Sequence, residues 1–273
     1  MTTQTAGTYD RVIVPVNGFP PNDRAIRVAE ALAGQFEGDI EFSSMLYNAE
    51  HRTERSHLLH LLTLRTKRKA AFTNIHEGGD ASAYILDLIA RPQGLVVLAG
   101  ATSVLGIPGS ITADVVRFAS RPVVIVGPHI FPTWQGGVER IVVPLDGSPA
   151  AEQALPIAQC WSKALRIPIE LVQVIDSDDV ALMHRRDPDA IEASYLEHLY
   201  ESFQGDGVDL ISFDVLHGSG SQRVEVICEY AQRVSGSMIC MATNGSHLSR
   251  SMLSGTTLKV LHHSPVPALI VRS

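Results

Sequence analysis

Two short clusters hold the residues best suited to chemistry. Asp146-Gly147-Ser148 closes an apolar run. Nearly a hundred residues on, A-T-N-G is followed by G-T-T, which places Ala242, Gly245, Gly255, Thr256 and Thr257 around one loop. Gly245 accepts backbone angles closed to other residues, and Gly255-Thr256 stands where a helix would begin. The unpaired N–H groups and positive end of that helix, facing the loop, make an anion cradle. The Asp146 carboxylate can accept hydrogen bonds from ribose hydroxyls or an adenine amino group. The chemistry implied is the holding of a nucleotide.

Other candidates are weaker. His57, His60 and the adjacent pair His262-His263 follow no zinc-ligand spacing. Cys160, Cys228 and Cys240 show no paired or metal-ligand spacing and read as reduced core residues. No Walker lysine follows the Gly109 turn, so 106–112 is not a P-loop. Ser148 and Ser219 lack a nucleophile-elbow context, and no catalytic triad is visible. The basic run 65–69 reads as a solvated helix end, and Asp146 also suits the role of Asx cap for the helix that follows it.

The elements that must position the two clusters alternate strand and helix, twice over. Strands are predicted at 11–16, Asp39–Leu46, 71–76, 95–99 and Val123–Val126, with helices at 23–33 (capped near Gly34), 53–69, Ala81–Ala90 and 112–119. Two prolines and Gly136-Gly137 mark 127–137 as a linker. The pattern then restarts: strands Arg140–Leu145, 169–175, 210–217, 238–241 and 267–271, with helices at 150–165, 188–203, 223–233 and from Gly255 to about His263. V-I-V-P-V-N-G answers I-V-V-P-L-D-G, and R-P-V-V-I-V answers V-P-A-L-I-V, so the chain is internally duplicated. Such alternation gives α/β architecture: two tandem doubly wound domains, each a five-stranded parallel sheet flanked by helices, Rossmann-like. The divisions are 9–127, a linker at 128–138, and 139–273. Ligands in these sheets lie beyond the carboxyl ends of strands where the winding reverses.

Composition limits the partners. The chain has 273 residues, 45% of them hydrophobic, and a formal net charge of -7. That charge gives no electrostatic reason to expect nucleic acid or an acidic membrane surface. No apolar run reaches membrane-spanning length and residues 1–8 are polar, so the expectation is a soluble cytoplasmic protein.

The second half resembles a universal stress protein domain: the V-P-L-D-G-S turn, the L-V-Q-V-I-D second strand, and the spaced motif G-x2-G-x9-G-(S/T), here Ala242, Gly245, Gly255 and Thr256. The two halves together resemble the tandem form of that family. The resemblance implies ATP, with or without Mg2+, held by Pro144 and Asp146 at the nucleoside, Val174 beside the base, and Met241, Ala242, Gly245, Gly255, Thr256 and Thr257 along the phosphates. Ala242 replaces the family's first glycine, and Ser246 stands where Arg is frequent. The first half departs further. Asn17 replaces the acidic residue, Thr102 takes the place of Gly245, and nine residues separate Ala99 from Gly109 where twelve separate Ala242 from Gly255. It is read as a structural pseudo-site. The resemblance further implies a homodimer, and an intrachain pseudo-dimer in which Val123–Val126 meets 268–271. The function expected is ATP-dependent regulation of an unknown protein partner in stress, without enzymatic activity beyond very slow hydrolysis. The alternative is a nucleotide-independent dimeric scaffold or chaperone-like protein.

Overall fold

The computed structural model describes residues 9–16, 22–46, 51–66, 71–100, 110–132, 134, 136–176, 188–205, 211–219, 222–243 and 255–272. The first half runs β1 (Arg11–Pro15), α1 (Asp23–Gln35), β2 (Asp39–Leu46), α2 (Arg52–Arg65), β3 (Ala71–Glu77), α3 (Ala81–Ala90), β4 (Gly94–Ala99), α4 (Ser110–Phe118) and β5 (Val123–Val126). The second runs β6 (Arg140–Leu145), a 3-10 turn (Ala151–Ala154), α5 (Leu155–Leu165), β7 (Ile169–Asp176), α6 (Pro188–Gly205), β8 (Ile211–Gly218), α7 (Arg223–Gln232), β9 (Ser237–Thr243), α8 (Gly255–His263) and β10 (Ala268–Arg272).

The strands form one ten-stranded sheet in the order β3-β2-β1-β4-β5-β10-β9-β6-β7-β8. Each half is parallel throughout, and the halves join where β5 and β10 run antiparallel. The expected internal pairing is therefore present: Ala268 pairs with Ile125, Leu269 with Val124, Ile270 with Val123. The central strands are buried on both faces and almost wholly apolar, as parallel strands covered by helices must be.

The duplication reaches the side chains. Arg11 reaches Glu41 at 3.1 Å, and the matching pair in the second half is Arg140 with Glu170. Arg91 adds a second contact to the buried Glu41 at 2.9 Å, whereas Arg140 donates to Ser237 Oγ at 2.8 Å and Tyr230 O at 3.0 Å. A buried carboxylate left alone would be costly, so each half carries its own cation for it. These pairs lie at the amino end of the strands, opposite the candidate site.

Across the join, Tyr9 and Phe36 of the first half meet Trp161 of α5 edge to face, with centroids 5.8 and 5.1 Å away. Trp161 Nε1 donates to Tyr9 Oη at 3.3 Å. The connection between halves is docked rather than slack. Phe131 N donates to Pro265 O at 2.9 Å, the buried Trp134 donates to Ser237 O at 3.0 Å, and the Gln35 amide brackets Val138 N and O at 2.7 and 2.8 Å.

Several helix ends differ from expectation by a residue or two, as in α4, α6 and α7, and three differ for reasons visible in the structure. α1 runs past Gly34 to Gln35, and the left-handed turn falls on Glu37 (φ 55). Gly38 follows because a Cβ there would stand 2.6 Å from Tyr9 O. α2 ends at Arg65, where Thr66 turns extended; Arg65 approaches Asp23 at 3.3 Å, an exposed pair of small energetic consequence. The expected helix at 150–165 divides in two because Pro156 has no N–H for an i→i−4 bond, so α5 takes it into its first turn.

Candidate functional site

The site grows from a proline. Pro144 has no N–H to give a neighbouring strand. Toward β9 the β6 ladder stops at Val142–Ile239, while toward β7 it continues to Leu145–Gln173. The first half repeats the arrangement around Pro15: β1–β4 pairing stops at Ile13–Val96, and β1–β2 pairing reaches Pro15–Ser43. A central strand whose ladder ends early on one side leaves a cleft between β6 and β9. That is where the sheet order changes direction, the expected ligand position in open α/β sheets.

Asp146 opens the turn after β6 and is exposed. Its Oδ1 accepts from Ser148 N at 3.0 Å and from Ser148 Oγ at 2.6 Å, with Gly147 between them at φ 75. Ser148 Oγ accepts in turn from Ala151 N at 3.2 Å. The helix cap expected of Asp146 thus falls to Ser148, because an Asp side chain in an Asx turn reaches only the N–H two residues on. The pinned carboxylate keeps Oδ2 without a partner among the described residues, facing solvent.

Pro144 is buried in β6, Val174 is half-buried near the end of β7, and Met241 (8% exposed) and the half-buried Ala242 end β9. α8 starts at Gly255, as expected, with Thr256 half-buried and Thr257 buried in its first turn. Strand adjacency therefore brings Pro144, Asp146, Val174, Met241 and Ala242 to one sheet edge. Gly245 and Ser246 lie outside the described residues, as do Asn17, Thr102 and Gly109 of the first half. Across the halves, Thr243 Oγ1 donates to Val116 O of α4 at 3.2 Å, tying the end of β9 to the first half.

The sequence reading passed over Gln173, the partner of Leu145 in β7. Alternation along a strand hides it as an occasional polar residue in an apolar run. Only its sheet neighbours show that it is buried.

The described histidines do not form a metal site. His57 and His60 are exposed on α2. His262, His263 and His129 cluster with ring centroids 4.6–6.3 Å apart, His129 and His263 lying nearly parallel. Among the described residues no group of three or more His, Cys, Asp or Glu is arranged to hold a metal ion. No described helix is long and apolar enough to cross a membrane.

The model of the universal stress protein family matches residues 137–272. The whole chain superposes on a universal stress protein from Archaeoglobus fulgidus at TM-score 0.70, with 16% identity, covering 98% of this chain and 97% of that one. A functionally unknown protein from Pseudomonas aeruginosa gives 0.67 with 15% identity, over 98% and 94% of the two chains. The cytoplasmic domain of a prokaryotic cation chloride cotransporter gives 0.52 with 9% identity, over 96% and 95%. No curated protein matches. The chain belongs to the universal stress protein family, in its tandem form, with both halves built on that fold.

Proposed function

We propose that this universal stress protein is an ATP-binding regulator of the stress response, holding one nucleotide in the cleft of the second half. The observation that carries the reading is the carboxylate beside the split ladder: Ser148 pins Asp146 Oδ1 and leaves Oδ2 free for a ribose hydroxyl. Val174 flanks the base, and Met241, Ala242, Gly245, Gly255, Thr256 and Thr257 line the phosphates, with Mg2+ carried by the phosphates where it is present. Nothing in this set positions a water for attack, so turnover is at most very slow and the nucleotide acts by biasing partner choice. The protein works in the cytoplasm, and the first half is a pseudo-site.

Isothermal titration tests this. The parent should take up one equivalent of ATP per chain. Asp146→Ala should weaken binding about ten- to a hundredfold, the worth of a hydrogen bond to a charged group. Gly255→Val should weaken it comparably by blocking close approach of the phosphates, and Asn17→Asp should change nothing. Two equivalents, or unchanged affinity in both second-half variants, would sink the assignment. A parent that takes up no ATP would favour the nucleotide-independent scaffold.

A further inference from the structure

Gln173 is 6% exposed, and its Oε1 is buried with no hydrogen-bond partner among the described residues. A buried amide oxygen left unsatisfied is costly, and natural interiors seldom keep one without a reason. Its position in the duplicated sheet supplies the reason. Leu145 pairs with Gln173; in the first half the residue matching Leu145 is Val16, whose N–H donates to Ser43 O at 2.7 Å, so the position matching Gln173 is Ser44. Ser44 is satisfied within the protein, donating to Val16 O at 2.8 Å. At one and the same place, then, the half with the degenerate loop closes its polar group internally, and the half with the complete loop leaves it open.

The register also fixes where the amide lies. Gln173 shares a sheet face with Leu145, and Cys240 of β9 lies on that same face, with Sγ 3.8 Å from Ala154 O. This is the face roofed by the 3-10 turn and α5, directly beneath the turn that carries Asp146. Gln173 lies at the last pairing of β7 with β6, one strand spacing of about 4.8 Å from Leu145, the residue before Asp146, so a base laid over the carboxyl end of β6 comes within the length of an extended glutamine side chain. The side-chain amide has a donor at one end and an acceptor at the other whichever way it is turned. A 6-aminopurine presents the complementary pair, an exocyclic N–H beside a ring nitrogen.

We propose that Gln173 is a base-binding residue of this cleft, completing its hydrogen bonds on the adenine edge; the proposal rests on the nucleotide reading above. Replacement by the near-isosteric, non-bonding Met separates the possibilities. Gln173→Met should weaken ATP and adenosine alike by about tenfold, since the lost bonds are to the base and not to phosphate. It should also raise the melting temperature of the nucleotide-free protein, because an unsatisfied amide is removed from the interior. In the parent, the Gln173 side-chain NH2 resonances, identified by their absence from the spectrum of the Met variant, should shift when ATP saturates the protein. Unchanged ATP affinity in Gln173→Met while Asp146→Ala loses it, or unmoved NH2 resonances at saturation, would overturn the role of Gln173 and leave the nucleotide site standing. A parent that binds neither ATP nor adenosine would overturn both.

Discussion

Ser148 and Asp146 divide the work at the head of the second half: the serine caps the turn into α5 and holds one carboxylate oxygen, and the aspartate offers the other. Ser148→Ala should therefore cost about 1 kcal/mol of stability, a typical loss for a helix cap, measured by urea unfolding. The thiols differ by burial. Burial alone pushes Cys240 up to about 12, and burial followed by the nearby Glu225 and Glu229 carries Cys228 to about 12. Neither should react with a thiol reagent at pH 8 in the folded protein, leaving the half-buried Cys160 as the first to label by mass spectrometry. His262 is lowered, chiefly by burial and then by His263 and His129, and its Nδ1 is buried without a hydrogen-bond partner among the described residues. The unfolded chain takes up that proton near pH 6.5 while the folded chain resists it, so acidification favours unfolding. Stability should fall as pH drops through about 6.5 and stop falling below the lowered folded value. His262→Asn should flatten that part of a melting-temperature profile against pH.

Among the elements, the central strands were legible because each is an apolar run whose ends are set by turn residues, and Asp39–Leu46, Val123–Val126 and Arg140–Leu145 have the bounds their sequences imply. Helix ends were less so. The end of α1 depends on the close approach of Gly38 to the Tyr9 backbone, a contact between segments that no local pattern announces. The split before α5 was visible in principle, since Pro156 is in plain view and its missing N–H removes one i→i−4 bond from the helix expected there. The candidate site was legible where chemistry and motif coincide, at Asp146 and the Gly255-Thr256 helix start. It was not legible where a residue matters through its sheet neighbours. Only the paired strands show that Pro144, already named from its motif, ends one ladder and spares another, and that among the described residues Gln173 stands open where Ser44 is satisfied. Gly38→Val tests the hidden constraint: with its Cβ 2.6 Å from a carbonyl oxygen it should lose about 1–3 kcal/mol by urea unfolding, whereas Gly34→Ala, with open space around it, should not.

The whole molecule depends on the β5–β10 join. Leu269 and Val124 are both fully buried there and pair with each other, at matching positions in the two halves, so the pair marks a local two-fold axis. Leu269→Ala should cost about 2–5 kcal/mol by the cavity it leaves, with loss of cooperativity in urea unfolding as the halves uncouple. With its fifth strands satisfied internally, the chain keeps β3 and β8 as the sheet's outer edges, and further homodimerisation, followed by light scattering, should leave the β5–β10 join intact. The antiparallel join has one more effect. It turns the two carboxyl edges to opposite poles, so neither cleft borders the other. In an assembly of two identical chains every substitution is made twice, and a site cannot be given up at one pole without losing it at both. Fused into one polypeptide, the poles answer to separate stretches of sequence: one carries Asn17 and a shorter loop where the other carries Asp146, which gives a symmetric scaffold a head and a tail.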